Sequence, residues 1–99
     1  MDDYELIDNR EDHQYEFHIG KLVPKIEYIK NKTGEIYLTH TEVPVQLEGK
    51  GVGSQLVEKV LKDIEKQELR LVQLCPFVAG YIKKHPDWRR IVMRGINVG

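Results

Sequence analysis

The 99-residue sequence predicts a mixed α/β (α+β) fold, and three observations support this class. The N-terminal half contains segments whose apolar residues alternate at a period of two, the spacing of half-buried strands. From Val52 the apolar spacing becomes that of a helix. A short apolar run, "LRLVQLC", then leads into a proline. The chain is short enough for one domain over residues 1–99.

Four strands of an antiparallel meander are predicted first. In "QYEFHI" the residues Tyr15, Phe17 and Ile19 alternate, and a Gly-Lys pair turns the chain into "LVPKIEYIK", which indicates a hairpin. The turn "NKTG" leads into "EIYLTHTEV", which is rich in β-branched and aromatic residues. Pro24 predicts a bulge or an edge position for the third strand. The predicted strands cover residues 4–8, 14–19, 22–30 and 35–43.

An amphipathic helix is predicted after the meander, with one face packed on the sheet. Its apolar positions are Val52, Leu56, Val57, Val60, Leu61 and Ile64. The run "LRLVQLC" suits a fifth strand that is covered on both faces and parallel to the strand before the helix. The crossover between the two strands is then right-handed by default. Pro76 is well placed to start a second helix, "PFVAGYIKKH", and Pro86 to stop it.

The composition is that of a soluble globule, with 40% hydrophobic and 31% charged residues. A net charge of -1 argues against a domain built mainly to coat nucleic acid, and no apolar run approaches the ~20 residues of a membrane span. The acidic start "MDDYELIDNRED" lacks the order of a secretory signal, and a single cysteine forms no intrachain disulfide, so a cytoplasmic location is expected. The scattered histidines have no zinc-binding spacing, and no metal is expected.

Three alternate glycines, Gly49, Gly51 and Gly53, stand between the fourth strand and the helix. Glycines let the backbone approach a ligand closely, and a helix N-terminus offers unpaired N–H groups, so the turn suits a phosphate or pyrophosphate. A P-loop requires Ser or Thr directly after its Gly-Lys pair, but Gly51 occupies that position here. A Rossmann fingerprint requires Gly or Ala at its sixth position, but Ser54 occupies that position when the count starts at Gly49. Neither motif matches, and plain turn chemistry is the alternative explanation.

The segment "EGKGVGSQLVEKVL" resembles the acyl-CoA-binding segment of the GNAT acetyltransferase superfamily, Gln/Arg-x-x-Gly-x-Gly/Ala, with Gly51 and Gly53 as its glycines. More closely, the chain resembles the compact single-domain GNAT-like N-acetyltransferases, in which "THTEVP", the glycine turn and "CPF" recur in this order. The likeness covers about residues 14–88. Glu48 stands where the superfamily usually has Gln or Arg, whereas a register that starts at Gln46 fits the pattern.

This resemblance implies acetyl-CoA (coenzyme A) as the cofactor. Its pyrophosphate would lie on the amides of the glycine turn, with Lys50 as a counter-charge. Its pantetheine arm would pair with the backbone near Val43. The thioester would lie in the splay between the fourth and fifth strands. The chain is too short for the helices that shape the acceptor pocket in larger relatives, so an open acceptor site is expected. The cofactor-binding residues are expected to be Val43, Glu48, Gly49, Lys50, Gly51, Val52, Gly53, Ser54, Phe77 and Tyr81.

Cys75 and His40 are the candidate catalytic residues. Cys75 stands before a proline-started helix whose dipole favours a thiolate, so it is a candidate nucleophile, with a buried structural cysteine as the alternative. His40 would deprotonate Cys75 or the incoming amine, or is a hydrogen-bonded sheet histidine. Glu42 shares its strand face by alternation and would orient the ring or act as base itself. Many GNAT enzymes protonate the leaving thiolate with a helix tyrosine, here Tyr81, which packing explains equally well.

The residues and the resemblance together predict an acetyl-CoA-binding N-acetyltransferase that moves an acetyl group to an amine acceptor, directly or through a Cys75 thioester. A CoA-binding sensor with little turnover is the alternative, favoured by Glu48 and by the missing acceptor helices. A third interpretation is a small nucleic-acid adaptor that uses the basic C-terminal stretch, residues 81–94. The sequence does not specify the acceptor.

Overall fold

The computed structural model describes residues 3–93, so Arg94 of the basic stretch lies outside the described residues. A five-stranded sheet has the order β1-β2-β3-β4-β5; neighbours among the first four strands are antiparallel, and β5 is parallel to β4. The predicted fold class and element order are confirmed, with strands shorter than their apolar patterns. The elements are β1 Ile7–Asn9, β2 Gln14–Glu16, β3 Lys25–Lys30, β4 Glu35–Glu42, α1 Val52–Lys66, β5 Arg70–Gln73 and α2 Pro76–Lys84.

The first predicted hairpin turn forms as expected. The amides of Ile19 and Leu22 donate to each other's carbonyl oxygens at 2.9 and 3.0 Å, and Gly20 between them has a φ of +62°. Pro24 lies just before β3, and β3 is an internal strand, so the expected edge position is wrong. The proline costs no ladder hydrogen bond there, because it precedes the strand and its carbonyl oxygen accepts from the amide of Phe17 at 3.1 Å.

An irregularity in the β3–β4 ladder changes which face of β4 each side chain occupies. Tyr28 pairs with Leu38, but the next residue back, Glu27, pairs with His40. Thr39 is therefore the extra residue of a β-bulge, and its hydroxyl donates to the carbonyl oxygen of Glu27 at 3.3 Å.

Beyond this bulge the two faces of β4 are exchanged. Thr41 pairs with Ile26, which is fully buried in the core, so Thr41 lies on the face that the helices cover. His40 pairs with Glu27 and lies on the opposite, open face. Without the extra residue, alternation from Leu38 would have placed His40 on the covered face.

The helices and one face of the sheet enclose the core. The six predicted apolar positions of α1 are all buried there, together with residues of every strand except β1. The core also contains Tyr15, Phe17, Ile26, Tyr28, Ile36, Leu38, Leu71, Val78 and Ile82. None of the helices in the described part of the chain is long and apolar enough to span a membrane.

Replacing Tyr15 by phenylalanine is expected to lower the free energy of unfolding by about 1.5–3 kcal/mol, as for a hydrogen bond to a charged group. Tyr15 is fully buried, and its hydroxyl donates a hydrogen bond to the Asp63 carboxylate of α1 at 2.7 Å. Burial and this carboxylate raise the pKa of Tyr15, so the tyrosine stays neutral and continues to donate. Urea denaturation measures the change. Tyr37→Phe, a half-buried tyrosine on the same sheet, is the control and should change stability by less than about 0.5 kcal/mol.

Candidate active site

The strands β4 and β5 separate at one end of the sheet. Their ladder ends where Leu38 pairs with Gln73, and the amides of Leu74 and Cys75 both donate to the carbonyl oxygen of Leu38 at 3.0 Å. Residues 39–42 continue β4 without a β5 partner in the described part of the chain. The splay that the resemblance implied is therefore present.

A cleft of about 530 Å³ opens at this splay, a volume within the usual range of small-molecule sites. All the expected cofactor-binding residues line it except Lys50 and Tyr81. Thr41 and Leu47 line it as well, and neither was expected. The lining residues are Thr41, Val43, Leu47, Glu48, Gly49, Gly51, Val52, Gly53, Ser54 and Phe77.

Two of the three glycines give the turn its backbone conformation. Gly49 and Gly51 both have a φ of +76°, a left-handed conformation that glycine adopts most readily. Gly51 is the N-cap of α1, and its carbonyl oxygen accepts the first helical hydrogen bond, from Gln55 at 3.0 Å. The first turn of α1 contains no acidic residue, so no side chain there neutralises the positive end of its dipole. This helix start suits an anionic ligand.

Gly53 has a different role, which is close packing between the helices. A Cβ atom on Gly53 would lie 2.7 Å from Cζ of Phe77 and 3.4 Å from Cγ2 of Val43. The Phe77 ring reaches from the first turn of α2 to Gly53 at the start of α1, and it remains 45% exposed where it forms a wall of the cleft. The glycine therefore makes room for an apolar wall rather than for a turn.

Replacing Gly53 by alanine should move the Phe77 ring out of the cleft wall and weaken acetyl-CoA binding by about 3- to 10-fold, which is about 0.7–1.4 kcal/mol. The fold should tolerate the change, because alanine is favoured over glycine in a helix and the contact is with the far end of a half-exposed side chain. Calorimetric titration measures the affinity. Phe77→Ala and the double variant should bind equally weakly, and an additive further loss in the double variant would contradict this coupling.

Cys75 is only 4% exposed and is the N-cap of α2, with Pro76 as the first helical residue as predicted. Its thiol donates to the Thr41 hydroxyl oxygen, with 3.0 Å between Sγ and Oγ1. Thr41 lines the cleft, whereas Cys75 does not. The hydroxyl of Thr41 therefore connects the buried thiol to the cleft. Sequence reasoning missed Thr41, because only the bulge in β4 turns it toward the helices.

His40 and Glu42 lie together on the open face of the sheet. Nε2 of His40 is 3.6 Å from Oε2 of Glu42, which agrees with the prediction that the two residues share a face. The structure does not bring His40 to Cys75, because the bulge places Thr41 on the side of the thiol instead. The half-exposed imidazole is open to a molecule that approaches the splay from the face without helices.

Tyr81 is directed toward α1 rather than into the cleft. The pKa of Tyr81 is raised by burial, by the nearby Glu58 carboxylate and by a hydrogen bond to that carboxylate. The centroid of the Tyr81 ring lies 4.2 Å from that of the His85 ring. A raised pKa makes the tyrosine a poorer proton donor. The expected position of Tyr81 in the cofactor site therefore has no support in the cleft geometry.

Gln73 is a second polar residue that the sequence did not single out. It is the last residue of β5, is 7% exposed and pairs with Leu38 where the strands separate. Its Oε1 atom is buried and has no hydrogen-bond partner within the described residues. A buried acceptor of this kind normally takes a hydrogen bond from the protein or from an ordered water molecule.

A mixed five-stranded sheet that splays beside a glycine-rich helix start defines a GNAT-type acyltransferase fold. The sequence profile of the GCN5-related N-acetyl-transferase family matches residues 14–91, and the chain belongs to this family. The family generally uses acetyl-CoA. The left-handed glycines, the helix start and the apolar wall of the cleft fit such a group.

The proteins similar to this chain include a solved structure and a protein from a frog. A GCN5-like protein from Staphylococcus aureus, solved by NMR in solution, shares the fold with a TM-score of 0.71 at 22% identity, over 98% of this chain and 94% of that chain. Protein NATD1 from Xenopus tropicalis is 30% identical over 60 residues, which are 61% of this chain and 53% of NATD1. The match thus spans about half the length of that relative.

Proposed function

We propose that this protein binds acetyl-CoA in the cleft beside α1 and transfers the acetyl group to an amine acceptor. The observation that carries this proposal is the cleft itself, where two left-handed glycines expose the start of α1 beside the splay of β4 and β5. When bound, acetyl-CoA would supply an activated acetyl thioester. A cytoplasmic location is part of the proposal, because the one cysteine of the chain is a free thiol.

The binding half of the proposal assigns each wall of the cleft a role. The backbone amides of residues 49–54 hold the pyrophosphate, and the exposed Lys50 supplies a counter-charge. The backbone near Val43, beyond the end of the β4–β5 ladder, pairs with the pantetheine arm. The Phe77 ring covers the apolar part of the arm. Glu48 lines the same cleft and opposes the phosphates, so we expect modest affinity.

The acceptor half of the proposal uses the open face of the sheet. His40 is placed there with Glu42 beside it, and a neutral imidazole accepts a proton from an amine that attacks through the splay. The open face agrees with an acceptor site that no additional helices enclose. We propose His40 as the general base and Glu42 as the residue that orients its ring.

Two routes lead from the thioester to the amine, and they differ in whether Cys75 carries the acetyl group. In the carrier route, the thiol takes the acetyl group as a thioester before the amine does. In the direct route, the amine attacks the bound thioester. The thiol is buried, is hydrogen-bonded to Thr41 and is not part of the cleft lining, and these features favour the direct route. Intact mass after incubation with acetyl-CoA alone distinguishes them, since only the carrier route adds a hydroxylamine-labile acetyl group that Cys75→Ala removes.

The proposal is tested by release of the CoA thiol from acetyl-CoA with and without an amine. The panel is n-butylamine, spermidine and a lysine-containing peptide, each with an N-acetylated product that mass spectrometry detects. Amine-dependent release supports the enzyme. Saturable binding of acetyl-CoA with no acceleration by any amine would support the CoA-binding sensor instead, which the acidic Glu48 in the cleft favours.

A further inference from the structure

Thr41 has a geometry that suits a proton relay. Its Oγ1 accepts the proton of the Cys75 thiol at 3.0 Å, and a hydroxyl that accepts in this way keeps its own proton for another partner. Because Thr41 forms part of the cleft lining while Cys75 is buried behind it, a molecule bound in the cleft can accept that proton. The pair is therefore a buried acid joined to the cleft by one hydroxyl.

The proposed reaction requires such a donor. When an amine displaces the acetyl group, the departing sulfur takes up negative charge, and a nearby acid stabilises it. Tyr81 does not line the cleft and its hydroxyl bonds to Glu58. The cleft lining contains one other hydroxyl, Ser54, which lies in the first turn of α1 beside the proposed pyrophosphate position. Of these two lining hydroxyls, that of Thr41 belongs to the part of β4 beyond the end of the β4–β5 ladder.

We propose that Thr41 donates the proton to the departing CoA sulfur and is supplied by Cys75, an inference that rests on the proposed acetyl transfer. The amine forms the new C–N bond as the C–S bond breaks, and His40 holds the proton that the amine loses. The Thr41 proton moves to the sulfur while the Cys75 proton moves to Thr41. Cys75 becomes a thiolate at the N-terminus of a nine-residue helix. His40 then releases the amine proton to water and water returns a proton to Cys75, so protons balance over one turnover.

Two further features of the structure agree with this assignment. The Thr41 hydroxyl can accept from the thiol and donate to the thiolate, so neither state of Cys75 leaves a buried group unpaired. Gln73, whose buried Oε1 has no hydrogen-bond partner within the described residues, ends the β4–β5 ladder two positions before Cys75.

The first test uses the free protein and needs no acetyl-CoA. Iodoacetamide alkylates Cys75, the only cysteine, at a rate that intact mass records. Thr41→Val keeps the shape but removes the hydroxyl that stabilises the thiolate, so alkylation should become at least about 4-fold slower, whereas Thr41→Ser should stay within about 2-fold of the wild type. Equal rates in the wild type and Thr41→Val would overturn the pairing on which the proposal depends.

The second test uses turnover with acetyl-CoA and the fastest amine of the panel. Thr41→Val should lower kcat about 10- to 100-fold and leave KM for acetyl-CoA within about 2-fold, and Thr41→Ser should recover most of kcat. Normal kcat in Thr41→Val would overturn this inference alone. If the wild type shows no amine-dependent turnover, the proposed function is overturned as well. If an acetyl group is found on Cys75, the thiol belongs to the carrier route and the relay is overturned.

Discussion

Replacing Gly51 by aspartate is expected to weaken acetyl-CoA binding about 100-fold, equivalent to about 2.7 kcal/mol. Gly51 has a φ of +76° and caps α1 at the wall of the cleft, so the new side chain would strain the backbone and place a carboxylate where the pyrophosphate is proposed to bind. Calorimetric titration with acetyl-CoA measures the loss. In the wild type, an NMR titration should shift the amides of residues 49–54 and of Val43 most.

Two matched variants separate charge from strain. Gly51→Asn has nearly the same shape without the charge, and asparagine tolerates a left-handed φ, so it should lose only about 3- to 10-fold in affinity. Gly34→Asp makes the same change at a φ of +90° in the turn before β4, away from the cleft, and should leave affinity unchanged. The phosphate site would not lie in this turn if Gly51→Asp and Gly34→Asp bound acetyl-CoA with equal affinity. The same would follow if the NMR shift changes in the wild type were confined to residues 3–20.

Replacing His40 by alanine is expected to lower amine-dependent turnover about 100-fold at pH 7, the usual loss for a general base. At that pH most alkylamines are protonated, and the imidazole beside Glu42 is the group proposed to take the proton. The defect should shrink as the pH rises toward 9, because more of the amine is then already neutral. Steady-state rates across this pH range measure the effect, with KM for acetyl-CoA expected to stay within about 2-fold.

The chain offers a matched control for this variant. His18 also pairs with a glutamate, because its Nε2 atom lies 2.6 Å from the Glu16 carboxylate. His18 follows β2, however, and β3 separates β2 from the splaying strand β4. His18→Ala should keep wild-type turnover at every pH. If both variants keep full activity, or if His40→Ala shows the same loss at pH 9 as at pH 7, His40 is not the base.

Local patterns were enough to predict the order and type of the elements. The change of apolar period at Val52 marks the first residue of α1, and Pro76 begins α2, because helix periodicity and a proline at the helix start depend on nearby residues alone. The strand ends were less accurate. The third strand was expected from residue 22 but the regular strand begins at Lys25, since a strand extends only as far as its neighbours pair with it.

The candidate cleft was partly encoded in the glycine turn. Glycine is the residue that most readily adopts a left-handed φ, so the requirement for Gly49 and Gly51 could be expected from residue type. Gly53 looks the same in the sequence, yet its φ is not positive and its role is to admit the Phe77 ring. That contact joins residues far apart in the chain, and residue type does not specify it.

The sequence by itself determined the fold class, the glycine turn and the identities of the residues with useful chemistry. Only the tertiary structure decided which of them meet. One extra residue in β4 reverses the alternation of side chains, so Thr41 reaches the Cys75 thiol and His40 faces the open side. The bulge arises from the pairing of β4 with β3, and the alternation in "LTHTEV" does not predict this long-range register. The bulge places the proposed acid and the proposed base on opposite faces of the sheet.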